Sequence, residues 1–176
     1  SPVFIFLISN QIFKYLIMYH KKKEKSEFDH RLVDLARVAR ITEGGRRFSF
    51  RALIVLGNKK GKVGIGLAKA KDVASAINKG INKAKTRLIN VPMYKGTLPF
   101  EVESKFKMVN IILRPLFHGK GIIAGGVARD ICELAGFENI NIKILSKSKN
   151  KINNAKAVLS GFKKINEILK VKNIVS

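Results

Sequence analysis

Residues 44–69 read Gly-Gly-Arg-Arg-Phe-Ser-Phe-Arg-Ala-Leu-Ile-Val-Leu-Gly-Asn-Lys-Lys-Gly-Lys-Val-Gly-Ile-Gly-Leu-Ala-Lys. The paired glycines predict a hairpin turn, and the residues after them alternate in character as a β-strand does. The strand begins with arginine and serine on one face and phenylalanine on the other. A turn with glycine at both ends follows at 57–61, and a third strand begins at Lys62. The stretch presents positive charge and bare backbone, and no side chain in it is suited to bond chemistry.

The third strand leads into a predicted helix. Gly64 and Gly66 share one face of the strand, which leaves a side that another backbone can approach closely. Asp72 is the expected N-cap of the helix, and Pro92 is its expected end. An apolar stripe at helical spacing consists of Val73, Ile77, Ile81, Ala84 and Leu88. The opposite face carries a basic stripe, Lys79, Lys83 and Arg87. Alone this stripe fits a solvated surface equally well, but beside basic strands it favours phosphate contact.

The second half of the chain is also predicted to contain both strands and helices. Strands are predicted at 97–103, 107–114 and 140–144, and helices at 127–135 and 152–169. With a strand at 32–41 before the first hairpin, the order is β-β-β-α followed by β-β-α-β-α. The fold class is therefore α+β, in two small domains at 27–93 and 97–170 with helices on one face of each sheet. Residues 171–176 form a tail.

The net charge of the chain excludes more classes of function than any other property of its sequence. The chain has 176 residues, 46% of them hydrophobic, and a formal net charge of +23. That is enough apolar material for a core, so a disordered basic tail is excluded. So large a positive excess opposes compaction unless a polyanion neutralises it, and nucleic acid is the expected partner. A membrane surface is the competing partner, but it calls for one basic amphipathic helix, and here the charge is spread over all element types.

The first 26 residues read as an extension. Residues 1–19 are mostly apolar but contain Ser9, Asn10, Gln11 and Lys14, so they make a poor membrane span. No small-residue cleavage site follows them, so they also make a poor signal peptide. We expect Met18 to be the true start and the residues before it to be disordered or non-native. The single cysteine, Cys132, lies in an apolar helical pattern, which predicts a buried small hydrophobe and a reducing compartment.

Catalytic and cofactor motifs are incomplete. Gly64-x-Gly66 has Lys69 where a dinucleotide fingerprint needs glycine, and neither Gly-Lys pair is followed by the Ser or Thr of a P-loop. Three dispersed histidines and one cysteine give no metal-ligand spacing, and no carboxylate pair stands out as acid and base. We therefore expect no enzyme activity, no cofactor, no metal and no small-molecule substrate. A second glycine cluster, 119–126, enters a helix and fits either phosphate binding or close packing.

With these residues laid out, the chain resembles bacterial-type small ribosomal subunit protein five, the S-five family. The resemblance runs from about Glu27 to Leu169. The first motif that carries it comprises Gly45, Arg46, Phe50, Ala52, Gly57, Asn58, Gly61, Val63, Gly64, Gly66, Ala68 and Lys69. The second comprises Gly119, the run Gly121-Ile122-Ile123-Ala124-Gly125-Gly126, Arg129 and Leu134-Ala135-Gly136.

The resemblance implies an N-terminal domain similar to the double-stranded-RNA-binding fold and a C-terminal domain with a left-handed β-α-β crossover. It also implies a place in the small ribosomal subunit, on bacterial-type ribosomes of the cytoplasm or of an organelle. The expected partners are small-subunit ribosomal RNA, small-subunit proteins four and eight, and mRNA near the channel by which it enters. The expected roles are subunit assembly and decoding accuracy. The hairpin at 40–46 would approach the ribosomal RNA, and Glu43 stands where many family members carry a basic residue.

The candidate RNA-binding residues are arginines, lysines and glycines of the strands, turns and helices. They are Arg37, Arg40, Gly44, Gly45, Arg46, Arg47, Arg51, Lys59, Lys60, Lys62, Gly64, Gly66, Lys69, Lys79, Lys83, Arg87, Lys120 and Arg129. Two alternatives stay open from the sequence. One is a free-standing double-stranded-RNA-binding protein or RNA chaperone. The other is an enzyme that binds a phosphorylated substrate at the glycine cluster 119–126.

Overall fold

The computed structural model describes residues 27–171. The expectations for the N-terminal extension, 1–26, and for tail residues 172–176 fall outside that range. The described part of the chain contains two four-stranded sheets and three helices. Within residues 27–171 no helix is long and apolar enough to cross a membrane.

The N-terminal sheet is antiparallel, with strands in the order β1-β2-β3-β4. Its elements in chain order are β1 (Asp29–Thr42), β2 (Gly45–Gly57), β3 (Lys62–Ala70), α1 (Val73–Lys85) and β4 (Ile89–Asn90). The hairpins of the first three strands match the sequence prediction. β4 was not predicted, because the helix was expected to continue to Pro92. The helix ends at Lys85 instead, where Thr86 Oγ1 donates a hydrogen bond to the Lys83 carbonyl oxygen.

Helix α1 packs on the sheet through its smallest side chains. Ala76, Gly80 and Ala84 are its buried residues, whereas Ile77 and Ile81 of the expected apolar stripe are only half-buried. A Cβ on Gly66 would overlap the Gly80 carbonyl oxygen, which shows how closely the two backbones approach. The expected N-cap lies at the right position with extended backbone, but its side chain makes no capping hydrogen bond.

The C-terminal sheet has strands in the order β5-β6-β8-β7, with β7 and β8 parallel and the other pairs antiparallel. Its elements are β5 (Val102–Phe106), β6 (Val109–Pro115), β7 (Ile122–Ala124), α2 (Gly126–Ala135), β8 (Ile140–Ile144) and α3 (Lys151–Val171). The unit β7-α2-β8 is the crossover for which the resemblance implies a left hand. β7 was missed because it is three residues long and lies inside the glycine cluster. β5 starts later than predicted, after Pro99, which has no amide hydrogen for a ladder.

The α+β class with two sheet-and-helix domains is confirmed. The domains nevertheless share a core, since Leu53 and Val55 of β2 belong to the same buried cluster as Ile131 and Phe162 of the C-terminal domain. The N-terminal sheet therefore has α1 on one face and the C-terminal domain on the other. This corrects the expectation of helices on one face only. The physical reason is that β2 is apolar on both faces from Ala52 to Leu56, so both faces must be covered.

The two domains meet where the β2–β3 turn reaches the end of α2. Backbone N–H groups of Lys59 and Gly61 donate to the carbonyl oxygens of Leu134 and Ala135, each at 2.9 Å. The last carbonyls of a helix have no partner within it, so the turn of one domain caps the helix of the other. A Cβ on Gly57 would overlap the Leu134 carbonyl oxygen, so only glycine allows this approach.

An ion-pair cluster crosses the same junction. Arg31 of β1 donates hydrogen bonds to Asp130 and Glu133 of α2. The bond to Asp130, followed by the bond to Glu133, raises the pKa of the Arg31 guanidinium above its ordinary value. Near this pair, Lys151 at the start of α3 lies 3.3 Å from Asp34 of β1. The acidic residues of the junction thus hold basic residues in place between the domains.

Candidate nucleic-acid interface

The tip of the β1–β2 hairpin extends beyond the rest of the sheet. β3 pairs with β2 only from Phe50 to Gly57, whereas β1 pairs with β2 out to Gly45. Five residues of β2, 45–49, therefore lie in a two-stranded ribbon about 17 Å long at the usual rise per residue. We call residues 38–49 the ribbon. Gly45 has φ of +117°, a conformation that favours glycine, which confirms why this turn needs one.

The ribbon places arginine on both of its faces. Arg40 and Arg47 are cross-strand partners, and side chains of such partners point to the same face. Arg46 is on the opposite face, opposite Ile41, and Arg37 lies one pair beyond the ribbon on that same face. All four arginines are exposed. A phosphate backbone could therefore contact guanidinium groups on either side of the ribbon.

These arginines differ from several other basic residues in having no ion-pair partner within residues 27–171. The ion pairs of residues 27–171 involve Arg31, Arg51, Lys59, Arg114 and Lys151. None of them involves Arg37 or an arginine of the ribbon. Unpaired guanidinium groups at an exposed hairpin tip are available to an external anion, whereas each paired group already has a carboxylate partner.

Two of the predicted contacts are paired internally. Arg51 lies 3.5 Å from Asp34, and Lys59 Nζ lies 2.8 Å from the Asp29 carboxylate. Lys69, the cross-strand neighbour of Arg51, is exposed and lies on the same sheet face as Arg47. Lys69 can therefore extend the basic surface of the ribbon toward the domain body, while Arg51 and Lys59 have competing partners.

The turn between β2 and β3 uses its backbone for contacts within the chain. Its backbone is used to cap α2, and Asn58 Oδ1 accepts hydrogen bonds from the N–H groups of Lys60 and Lys62, both at 2.9 Å. The side chains of Lys60 and Lys62 are nevertheless exposed. The turn thus holds the two domains together and still presents two lysines to solvent.

Gly64 and Gly66 do not form an RNA-facing surface. Both are buried, and a Cβ on either would overlap backbone of α1, at the carbonyl oxygens of Ala84 and Gly80. The expectation that another backbone approaches this face is right, but that backbone belongs to the chain's own helix. Direct contact of these glycines with RNA is therefore corrected to a packing role.

The basic stripe of α1 is exposed at Lys79 and Lys83. Lys83 Nζ lies 3.4 Å from the Leu67 carbonyl oxygen at the edge of β3. Arg87 lies beyond the end of the helix, where it borders a groove with Lys156 and Lys163 of α3. The two α3 lysines were missed, because their role in this groove depends on how the two domains pack. No local sequence signal marks them.

The second glycine cluster forms an open surface. A Cβ at Gly119, Gly121, Gly125 or Gly126 would meet no atom within 4 Å, so close packing within residues 27–171 does not explain these glycines. Three of them have positive φ, and the fourth, Gly125, is the N-cap of α2 with extended backbone. Lys120 is exposed, and Arg129 donates a 2.9 Å hydrogen bond to the Ile122 carbonyl oxygen.

The aromatic ring of Phe48 contacts Arg37. The sequence pattern placed this phenylalanine on a strand face and gave it no role. The guanidinium carbon of Arg37 lies 3.9 Å from the centroid of the Phe48 ring, and Phe48 is 49% exposed. Alternation alone could not tell whether this phenylalanine was core, since its neighbour Phe50 does pack inward.

Residues 27–171 contain no cluster of three or more side chains suited to hold a metal ion.

Comparison with known proteins identifies the family. The model for the N-terminal domain of ribosomal protein S5 matches residues 28–92, and the model for its C-terminal domain matches residues 104–174. The chain is similar to small ribosomal subunit protein uS5 of Pseudothermotoga lettingae, at 44% identity over 81% of this chain and 80% of the relative.

Two further relatives show a similar sequence identity over a similar share of their length. The uS5 protein of Thermotoga petrophila is 40% identical over 88% of this chain and 86% of its own. The protein uS5c of Gracilaria tenuistipitata is 41% identical over 82% of this chain and 84% of its own. Both domains are matched in order, and the similarity extends over most of each relative. The chain therefore belongs to the ribosomal protein S5 family, as a structural component of the small ribosomal subunit and not an enzyme.

Proposed function

We propose that the ribbon binds small-subunit ribosomal RNA through its phosphate backbone. The observation that carries the proposal is that Arg40, Arg46 and Arg47 are exposed and lack an ion-pair partner within the described chain, as does Arg37 beside them. Arginine forms bidentate hydrogen bonds with phosphate, and its charge does not depend on pH in the physiological range. RNA helices are read mostly through shape, phosphates and 2′-hydroxyls, so we expect little base specificity from these contacts.

Further basic residues extend the proposed contact surface beyond the ribbon. Those that the fold leaves exposed are Lys60, Lys62, Lys69, Lys79, Lys83, Arg87, Lys120 and Arg129. Arg51 and Lys59 would contribute only if RNA displaced their aspartate partners. If about eight phosphates are engaged, the logarithm of affinity should fall with the logarithm of salt concentration at a slope of about −7.

The resemblance to the family supports more specific roles for the chain than contact with RNA alone. We propose that the chain supports assembly of the small subunit and accuracy of decoding, near the channel by which mRNA enters. Its neighbours would be small-subunit proteins four and eight. The rigid joint between the β2–β3 turn and α2 fits such a role, because it fixes the ribbon relative to the C-terminal domain.

Sedimentation of native cell extract on a sucrose gradient tests the proposal. We expect the chain to migrate with small subunits and whole ribosomes at moderate salt, and to leave these fractions after ribonuclease treatment. Ribosomes that lose the chain when Arg40 and Arg47 are replaced together by glutamine would support the ribbon as the contact. A double variant that assembles like the wild type at all salt concentrations would refute it.

A further inference from the structure

We propose that Arg37 and Phe48 form a stacking platform for one unpaired nucleobase of the RNA. The inference rests on the proposed RNA binding and deepens it, since it adds base stacking to phosphate contact. The Arg37 guanidinium carbon lies 3.9 Å from the Phe48 ring centroid, which places the cation over one face of the ring. The stack is therefore already formed before any ligand arrives.

Phe48 contributes little to the core. The small cluster of buried residues beside α1 includes Ala52, Ala70 and Ala76, with Phe50 packed against it, and Phe48 is not part of it. Its cross-strand partner is Ala39, whose small exposed side chain leaves the neighbouring space open. On the same ribbon face, Ile41 is 79% exposed. Two exposed apolar side chains therefore lie on the same face as Arg37 and Arg46, which have no ion-pair partner within residues 27–171.

The two faces of the ribbon are chemically different. One face carries the Arg40–Arg47 pair and then Ser49 opposite the half-buried Val38, so it presents mainly charge and hydroxyl groups and no aromatic ring. The other carries Phe48 and Ile41, with Arg37 and Arg46 next to them. The first face suits phosphates. The second face also carries positive charge, on Arg37 and Arg46, and adds an aromatic ring beside these planar guanidinium groups.

A nucleobase is the occupant that this second face fits. Unstacked RNA bases bind to aromatic side chains and to guanidinium planes, and every base has a π-face. A protein partner would have to neutralise Arg37 and Arg46 as well as cover Phe48, and no carboxylate pairs with either arginine within residues 27–171. RNA supplies the base and the negative charge together. We therefore assign the face to an unpaired base next to a helical segment.

The test compares two RNA stems with equal numbers of phosphates, one fully paired and one with a single unpaired adenosine. Binding of the full chain is measured by fluorescence anisotropy at one fixed salt concentration. We expect wild type to prefer the stem with the unpaired base by about five-fold or more, the range that stacking of one base provides. Phe48→Leu should abolish the preference and retain affinity for the paired stem. Arg37→Lys, which keeps the charge but loses the planar group, should weaken the preference.

Arg47→Gln is the matched control, because Arg47 lies on the other ribbon face. It should lower affinity for both stems equally and leave their ratio unchanged. A wild-type protein without preference, or a Phe48→Leu variant that keeps it, would overturn the stacking platform. If Phe48→Leu kept both RNA affinities but was lost from small subunits, the face would belong to a protein neighbour instead. Failure of the wild type to bind either stem would reject the proposed RNA binding itself.

Discussion

Arg40 and Arg47 lie directly opposite each other across the β1–β2 ribbon, on the same face. Like charges at such a position repel and destabilise the pairing of the strands. Neither guanidinium has a carboxylate partner within residues 27–171, so the repulsion is not relieved inside the described chain. A phosphate group between them would convert the repulsion into two favourable contacts. The arrangement therefore costs the unliganded protein stability, and an anion bound between the two guanidinium groups would restore it.

Replacing Arg47 by glutamine should weaken RNA binding without loss of stability. Removing one phosphate contact is expected to reduce the steepness of the salt dependence by about 1. Because one of two opposed charges disappears, the melting temperature should stay constant or rise. Salt titration of RNA affinity and thermal unfolding measure the two effects on one variant.

Arg31→Gln is the matched control for this variant. Arg31 is ion-paired with Asp130 and Glu133 at the domain junction. We expect its loss to lower the melting temperature and to leave the salt slope unchanged. The reverse result, with Arg31 changing the slope and Arg47 changing the stability, would place the RNA contact at the junction.

Replacing Glu43 by lysine should strengthen RNA binding. Glu43 is exposed in the turn of the hairpin, within a group of arginines, and it forms none of the ion pairs of the described chain. Its negative charge opposes approach of phosphate, and lysine would add an attraction. The affinity at low salt should rise, with a salt slope steeper by about 1. Glu43→Gln separates the two contributions and should give an intermediate affinity. An unchanged affinity in both variants would show that RNA does not approach the turn.

Valine at position 45 should damage the hairpin more than valine at position 44. A Cβ at either glycine would meet no atom within 4 Å, so crowding is not the cause. Only Gly45 has positive φ, at +117°, and a β-branched residue there is strained by about 1–3 kcal/mol. Gly45→Val should therefore lose RNA affinity and incorporation into small subunits, and Gly44→Val should retain most of both. Equal behaviour of the two variants in these assays would contradict the backbone argument.

The sequence predicts the elements better than their surroundings. The paired glycines and the alternation after them locate β1, β2 and β3 correctly, because turn chemistry and strand period are local properties. The roles of Gly64 and Gly66 could not be predicted in the same way. A glycine face only shows that something approaches closely, and the helix that covers it is known only from the fold.

Ion pairing is the second property that local patterns miss. Arg51 and Arg47 are four residues apart on the same strand face and look equivalent in the sequence, yet only Arg51 meets an aspartate. The aspartate, Asp34, lies on the neighbouring strand beside a register shift between Leu32 and Asp34. An alternating pattern cannot reveal such a bulge, so the sequence could not rank the arginines by availability.

The joint between the domains gives a prediction about stability. Gly57→Ala and Gly136→Ala would each place a Cβ against backbone of the other domain, at the carbonyl groups of Leu134 and Lys59. The backbone at both sites is held by the hydrogen bonds between the β2–β3 turn and α2, so it cannot shift without breaking them. Each variant should lose about 1–3 kcal/mol of unfolding free energy, or more. Gly125→Ala is the control, since Gly125 has extended backbone and open space. It should lose less stability than either joint variant, about 0.5–1 kcal/mol, because alanine is a poorer N-cap than glycine.

Cys132 reports on the same joint from inside α2. Its thiol is fully buried, and burial raises its pKa far above the ordinary range, so it stays protonated and unreactive in the folded state. The unfolded thiol titrates near pH 8.5, so raising the pH above about 8.5 should favour unfolding. At pH 8, thiol labelling of Gly57→Ala and Gly136→Ala should be faster than that of wild type and of Gly125→Ala. Equal labelling rates in all four proteins, together with equal melting temperatures, would show that the close backbone approach does not hold the domains together.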